Sequence, residues 1–416
     1  TALGDTMTVL ERKNNKTYAI CCLTNLFSSI GVVFPLLMVP LRDLYGITYT
    51  QFGILISLNF CVQIISDVLF SKQVDKYGFK TFAVLTPLVS SLSMILYALT
   101  PILFKENIFL GLVLATILFA AAGGLNELLL SPIVDSITFA KEKKDAKMSL
   151  MHSFFAWGQI IIIPITTLVL KYFGSASWAR FILVLSILPL FCCLLFLSLD
   201  WSVCSTKRTN NSIRSLFKSK VFLVAVFAII VGGATEVTMA QWASAFLERA
   251  IALPKEIGDI LGLCAFALLL ATGRTLHGLV GKKCNTNNLL IIGSFFSFCC
   301  YLVTALTSSA VFALISCALT GFCASLLWPG TISVVAKALP TAGASLFALM
   351  SASGDIGASV SSFIVGNITD IITSSSLNFL GYSGEVLGLR VGILFASLFP
   401  LLSILLQIKL KKMHKE

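Results

Sequence analysis

Gly123-Gly124-Leu125-Asn126-Glu127-Leu128-Leu129-Leu130-Ser131-Pro132 sits inside a run, residues 108–140, dominated by Ile, Leu, Val, Phe and Ala. A run of that length crosses a bilayer, because about 20 apolar residues in a helix cover the hydrocarbon core. A lone strand cannot do so, since its backbone groups stay unsatisfied in lipid. Glu127 is the anomaly. A carboxylate at that depth is costly and marks a partner, a proton or a substrate path, so Glu127 is the first candidate functional residue.

Outward from this stretch the pattern repeats. Hydrophobic residues make up 57% of the 416 and charged residues 12%, about half the usual share in soluble domains; the mean hydropathy is +0.94. Membrane barrels alternate lipid-facing and lumen-facing residues, and these segments do not. The fold class is therefore all-α, with twelve helices expected at 17–41, 50–71, 79–104, 108–140, 146–172, 177–200, 219–250, 255–281, 286–306, 309–338, 341–370 and 385–409. The long polar stretch from Asp200 to Lys220 divides them six and six, giving an N-terminal bundle (1–200), a linker (201–218) and a C-terminal bundle (219–416).

The net charge of +11 reads as orientation and not as a nucleic-acid surface. Of the 30 basic residues, 22 lie on the side of the termini and linker and 7 on the other, with Arg274 inside the eighth helix. By the positive-inside rule both termini and the linker are cytoplasmic, and the plasma membrane is the expected location. The basic tail Lys409 to Lys415 is read as an anchor on anionic lipid. Twelve cysteines lie mostly singly in apolar runs without metal-ligand spacing, so they read as small buried hydrophobes. The first apolar segment is too long for a cleaved signal. No phosphate loop, metal cluster or Ser/His/Asp order appears; neither cofactor nor enzymatic activity is expected.

The two halves share a repeat. Gly124 to Pro132 aligns with Gly321-Phe-Cys-Ala-Ser-Leu-Leu-Trp-Pro329, keeping Gly, Leu-Leu and Pro, while Ala324 stands where Glu127 would be. In the next helix, Ser149-Leu150 and Gly158-Gln159-Ile160 align with Ser345-Leu346 and Gly354-Asp355-Ile356. Between helices 2 and 3, Ser71-Lys72-Gln73-Val74-Asp75-Lys76-Tyr77-Gly78-Phe79-Lys80 resembles the G-x-x-x-D-[RK]-x-G-x-[RK] signature of the major facilitator superfamily, with Ser71 for the first Gly. Gly273-Arg274 with Lys282-Lys283 resembles a degenerate second copy. The resemblance implies two pseudo-symmetric six-helix bundles, a conformational latch at Asp75, Lys76, Gly78 and Lys80, and a monomer. Gly124, Glu127, Ser131 and Pro132, with Met151 to Gln159, are similar to the fucose–galactose–glucose proton symporter family. That similarity implies proton-driven hexose uptake with Glu127 as a functional acid, although residues 17–41 lack the acid that some members carry.

Read from the residues, Glu127, Glu236 and Asp355 are the intramembrane acids and candidates for proton coupling, because desolvation favours the neutral carboxyl; Asp67 and Asp135 fall nearer the cytoplasmic ends. Arg274 stays charged and needs a carboxylate, Asp355 or Glu236. A sugar site needs neutral hydrogen-bonding groups and aromatic platforms. The candidates are Asn59, Gln63, Asn126, His152, Gln159 and Gln241, with Trp157, Trp242 and Trp328; Gln241 and Trp242 rank first because a broken or cavity-lining segment is expected after Gly232-Gly233. The implied partners are a small-molecule substrate, protons and membrane lipids. A proton-coupled exporter or antiporter of an amphiphilic or drug-like solute stands as the alternative.

Overall fold

The computed structural model describes residues 2–137, 141–204, 216–280, 285–339, 343–379 and 381–413. Among them are twelve membrane-length helical spans: α1 (Leu10–Tyr45), α2 (Tyr49–Phe70), α3 (Phe79–Leu103), α4 (Ile108–Val134), α5 (Leu150–Phe173), α6 (Ser175–Leu197), α7 (Lys220–Ala250), α8 (Lys255–His277), α9 (Thr286–Leu306), α10 (Ala310–Ala338), α11 (Leu349–Thr373) and α12 (Gly384–Met413). Each expected segment is present. The helix of α1 starts earlier than expected, at Ala2, and a 3₁₀ turn at Ser29–Val32 joins its two parts. A small hairpin, β1 (Asn378–Phe379) and β2 (Tyr382–Ser383), precedes α12 and adds a little sheet to a helical fold.

Besides α1, the spans α6, α10 and α12 are interrupted, each at a serine. The Ser186, Ser325 and Ser397 hydroxyls donate to the carbonyls of Leu183, Phe322 and Leu394, at 2.6, 2.7 and 2.7 Å. Such back-bonding competes with the helix's own ladder. A proline follows each serine by three or four residues (Pro189, Pro329, Pro400), removing a donor where the ladder is already weakened. The break in α10 is the widest: one helix ends at Ala324 and the next begins at Pro329, a position that needs no N–H. In α6 the Ser186 carbonyl accepts from the Ser91 hydroxyl at 2.8 Å.

The chain forms two compact units, Thr1–Val33 with Cys61–Arg208, and Phe34–Phe60 with Thr209–Glu416. The first has a core of Cys21, Cys22, Leu129, Ile133, Met151 and Phe196. At one end Lys13 pairs with Asp200 at 2.6 Å, a hydrogen bond that holds the Asp200 carboxyl well below the usual carboxylate range.

The second unit has a core of Phe222, Ile229, Leu290, Leu327, Val335 and Met350. It also holds the corner between α1 and α2, where Thr48-Tyr49-Thr50-Gln51 is a capping box: Thr48 N–H donates to Gln51 Oε1 at 2.9 Å and Gln51 N–H to Thr48 Oγ1 at 3.1 Å. Asp370 of α11 accepts from the next two N–H groups, Tyr49 at 3.2 Å and Thr50 at 2.5 Å. Glu385 accepts from the Tyr49 hydroxyl at 2.6 Å and from Arg42 Nε at 3.2 Å, and Arg249 pairs with Asp43. Because a carboxylate on helical N–H groups acts as a cap, Asp370→Ala is expected to cost about 1 kcal/mol of stability. Thermal unfolding in detergent checks it; an unchanged midpoint would leave the capping box sufficient alone.

Candidate functional site

Glu127 stands where α4 meets α2. Gly123 and Gly124 make the approach possible: a Cβ on Gly123 would lie 2.7 Å from Gln63 Nε2, and one on Gly124 would lie 2.7 Å from the Gln63 carbonyl and 3.1 Å from Asp67 Oδ1. Glu127 is one turn along the same face, on the side of α4 that Gln63 and Asp67 of α2 approach. Its side chain is accessible, and among the described residues it has no cationic or hydroxyl partner. Asp67 Oδ1 is buried without a hydrogen bond. A further turn along α4, Ser131 Oγ lies 3.0 Å from Nε2 of an exposed His152 on α5.

Packing against α1 fixes the rest of α5. Asn25 Nδ2 donates to the Met151 carbonyl at 2.8 Å, and Gly158 sits against the Leu26 carbonyl and Ser29, with no room for a Cβ. Of the residues beside it, Trp157 is 53% exposed and Gln159 half-buried. Asn126 is buried next to Glu127.

In the second unit Arg274 takes Glu236, one of its two expected partners. Its Nη2 lies 2.7 and 2.8 Å from the two carboxylate oxygens. Nε donates at 3.1 Å to the carbonyl of Ser325, at the break in α10. Gly273 lets α8 this close, since its Cβ would overlap the Ser325 side chain. Asp355 is buried on α11, beside Gly354, which packs under the Trp328 indole.

Trp242 is fully buried, its ring 5.8 Å from that of Tyr49 and against Gly366. It presents no face to a ligand in this conformation. Gln241 and Asn59 are half-buried. The break expected after Gly232-Gly233 is absent, because α7 runs as α-helix to Ala245 and both glycines serve close packing. A Cβ on Gly233 would meet the Gly354 carbonyl at 2.6 Å and one on Gly232 the Leu327 carbonyl at 3.2 Å.

In the loop between α2 and α3, the Asp75 side chain lies outside the described residues. Gly78 has φ +78° and ψ 170°, a region open essentially to glycine alone, and its N–H closes the preceding helix on the Val74 carbonyl at 2.8 Å. Lys76 lies 5.0 Å over the Tyr77 ring, and Lys76 and Lys80 are exposed.

A family profile described as Major Facilitator Superfamily matches residues 19–362. The chain belongs to the Major Facilitator Superfamily. It is accordingly a multi-pass membrane transporter. Solved superfamily structures share its fold at low identity. A bacterial homologue of the human lysosomal transporter Spinster has a TM-score of 0.72 at 12% identity, covering 97% of each chain. The nucleoside transporter NupG has 0.76 at 11% identity, covering 95% of this chain and 99% of that one. A D-xylose-proton symporter has 0.71 at 13%, covering 93% and 97%. No curated protein sequence matches the chain significantly.

Asp67, read from the sequence as lying nearer the cytoplasmic end of its helix, is the acid whose contact with α4 the sequence reading did not single out. The pointers to its setting were Gln63 and Asp67 four apart on one helix face and the paired glycines of α4, a small-residue contact that brings backbones together.

Proposed function

We propose that this transporter couples proton movement to uptake of a small polar solute, a hexose-type sugar, by alternating access. The observation that carries the proposal is the contrast between its acids. Glu236 is neutralised by Arg274 and Asp259 by Lys255, at 3.2 Å, whereas Glu127, an exposed residue, forms no ion pair with a cation among the described residues. An acid already held by a permanent cation gains little from protonation; an unpaired one at membrane depth takes and releases a proton as its surroundings change from wet to dry.

The neutral groups around Glu127 support a hydroxylated solute. Gln63, Ser131 and His152 supply donors and acceptors without net charge. The D-xylose-proton symporter among the structural neighbours supports the same direction. In this reading Asp355 lines the path, the loop from Asp75 to Lys80 latches helix ends on the cytoplasmic side, and the monomer works in the plasma membrane with both termini in the cytoplasm.

The test is uptake into liposomes containing the purified chain, with a panel of hexoses, pentoses, nucleosides and amphiphilic drugs, with and without an imposed pH gradient. Accumulation of a hexose when the outside is acidic is the expected result. Movement of an amphiphile opposite to the proton would establish the antiporter instead, and uptake indifferent to the gradient would remove proton coupling.

A further inference from the structure

The geometry points to Asp67 as the second half of the proton site: Asp67 on α2 and Glu127 on α4 carry one proton between them. This rests on the proton-coupled reading above and deepens it by adding a residue. Three observations lead here. The glycine pair at 123 and 124 brings α4 onto the Gln63 backbone and leaves Asp67 Oδ1 3.1 Å from where a Gly124 side chain would begin. That oxygen is buried and accepts no hydrogen bond, an arrangement that costs free energy for an ionised carboxylate and is relieved when a protonated neighbour donates to the pair. Finally, among the described residues no base forms an ion pair with Glu127.

Two like charges sharing one membrane site do not both stay ionised without cost. The unit therefore alternates between two states, one proton with net charge −1 and none with net charge −2. The proton comes from water on one side and leaves to water on the other, and no covalent bond other than O–H is made or broken. Among the described residues, these other groups pack on this part of α4. From α5, His152 reaches it through Ser131 at 3.0 Å; from α1, Tyr18, Cys21 and Cys22 pack on the same cluster as Leu125 and Leu129; from α3, Phe79, Phe82 and Ala83 pack there and are uncharged. His152 is thus placed to pass the proton between Ser131 and water, and Asp67 to share it with Glu127.

Hydrophobic carbodiimide labelling of the full chain in liposomes tests the pair without knowledge of the solute, because the reagent modifies protonated carboxyls within the membrane. Labelled peptides are quantified by mass spectrometry across pH. We expect label on either Asp67 or Glu127, at most one per chain. In Asp67→Asn the pH of half-labelling at Glu127 should move by about one unit, a scale typical of paired carboxylates. Asp67→Glu, which keeps the carboxylate, should retain the wild-type profile and so separates loss of the pair from loss of fold. An unchanged Glu127 profile in Asp67→Asn, or simultaneous labelling of both residues, overturns the proposal. Coupled labelling in a chain whose solute uptake ignores a pH gradient would uphold the pair and overturn proton-driven transport.

Discussion

Arg274→Met is expected to destabilise the chain by about 2–4 kcal/mol, towards the range for breaking a buried ion pair from one side. The cause is what remains behind. Glu236 is 9% exposed and loses both of its close contacts to Nη2, while the Ser325 carbonyl at the break of α10 loses its donor. The Arg274 side chain is itself 40% exposed, which keeps the figure below that of a fully buried pair. Adding Glu236→Gln to Arg274→Met should recover most of the loss, because the uncompensated charge is gone. Arg274→Lys should fall between, since one ammonium cannot grip the carboxylate and reach the carbonyl with the planar fork of a guanidinium. Thermal unfolding followed by size-exclusion fluorescence in detergent reads all of these. If Arg274→Met melts with the wild type, the pair holds nothing together.

That same group shows which level of the fold is legible in the sequence. Hydropathy and length identify all twelve spans, because lipid leaves an apolar run of that length few alternatives. The behaviour of matched prolines inside the spans is a different matter. Pro132 and Pro329 occupy equivalent places in the repeat, yet Pro132 lies within the unbroken helix Ile108–Ser136 whereas Pro329 starts a new one. Proline suits either a first turn or a kink, and the outcome depends on a tertiary partner: Arg274 donates to the Ser325 carbonyl. Ser186-Ile-Leu-Pro189 and Ser397-Leu-Phe-Pro400 carry their breaks locally, through the serine hydroxyl and proline together, and are readable once the pair is noticed.

The candidate site is legible in the same uneven way. The rarity of charge in apolar sequence singles out Glu127, Glu236 and Arg274, and the structure brings the last two together. Trp242 is the contrasting case: a tryptophan on an apolar helix reads equally as platform or packing, and only Tyr49 and Gly366 around it show packing here. The repeat is informative about scaffold and silent about chemistry. Gly124 meets the backbone carbonyl of Gln63 on α2, and Gly321 likewise meets that of Phe266 on α8, so each half uses its glycine for the same helix contact. Beyond that contact the halves diverge, with Asp67 and Glu127 in one and Leu270 and Ala324 in the other.

This divergence sets the expectation for Glu127→Gln: loss of all accumulation driven by a pH gradient, with exchange of labelled for unlabelled solute retained. Glutamine keeps the size and hydrogen-bonding of a protonated glutamate but never ionises, so the carrier behaves as permanently loaded and can still reorient with solute. With one proton per solute, a gradient of one pH unit supplies 1.36 kcal/mol, enough for about tenfold accumulation at equilibrium. The variant should bring the inside concentration only to that outside. Counterflow in preloaded liposomes, with no gradient imposed, supplies the control, since it requires binding and reorientation but no proton step. Loss of counterflow together with accumulation would make Glu127 a solute-binding or structural residue, and full accumulation in the variant would move the proton to another acid, with Asp67 next and Asp355 after it, because Glu236 is already tied to Arg274.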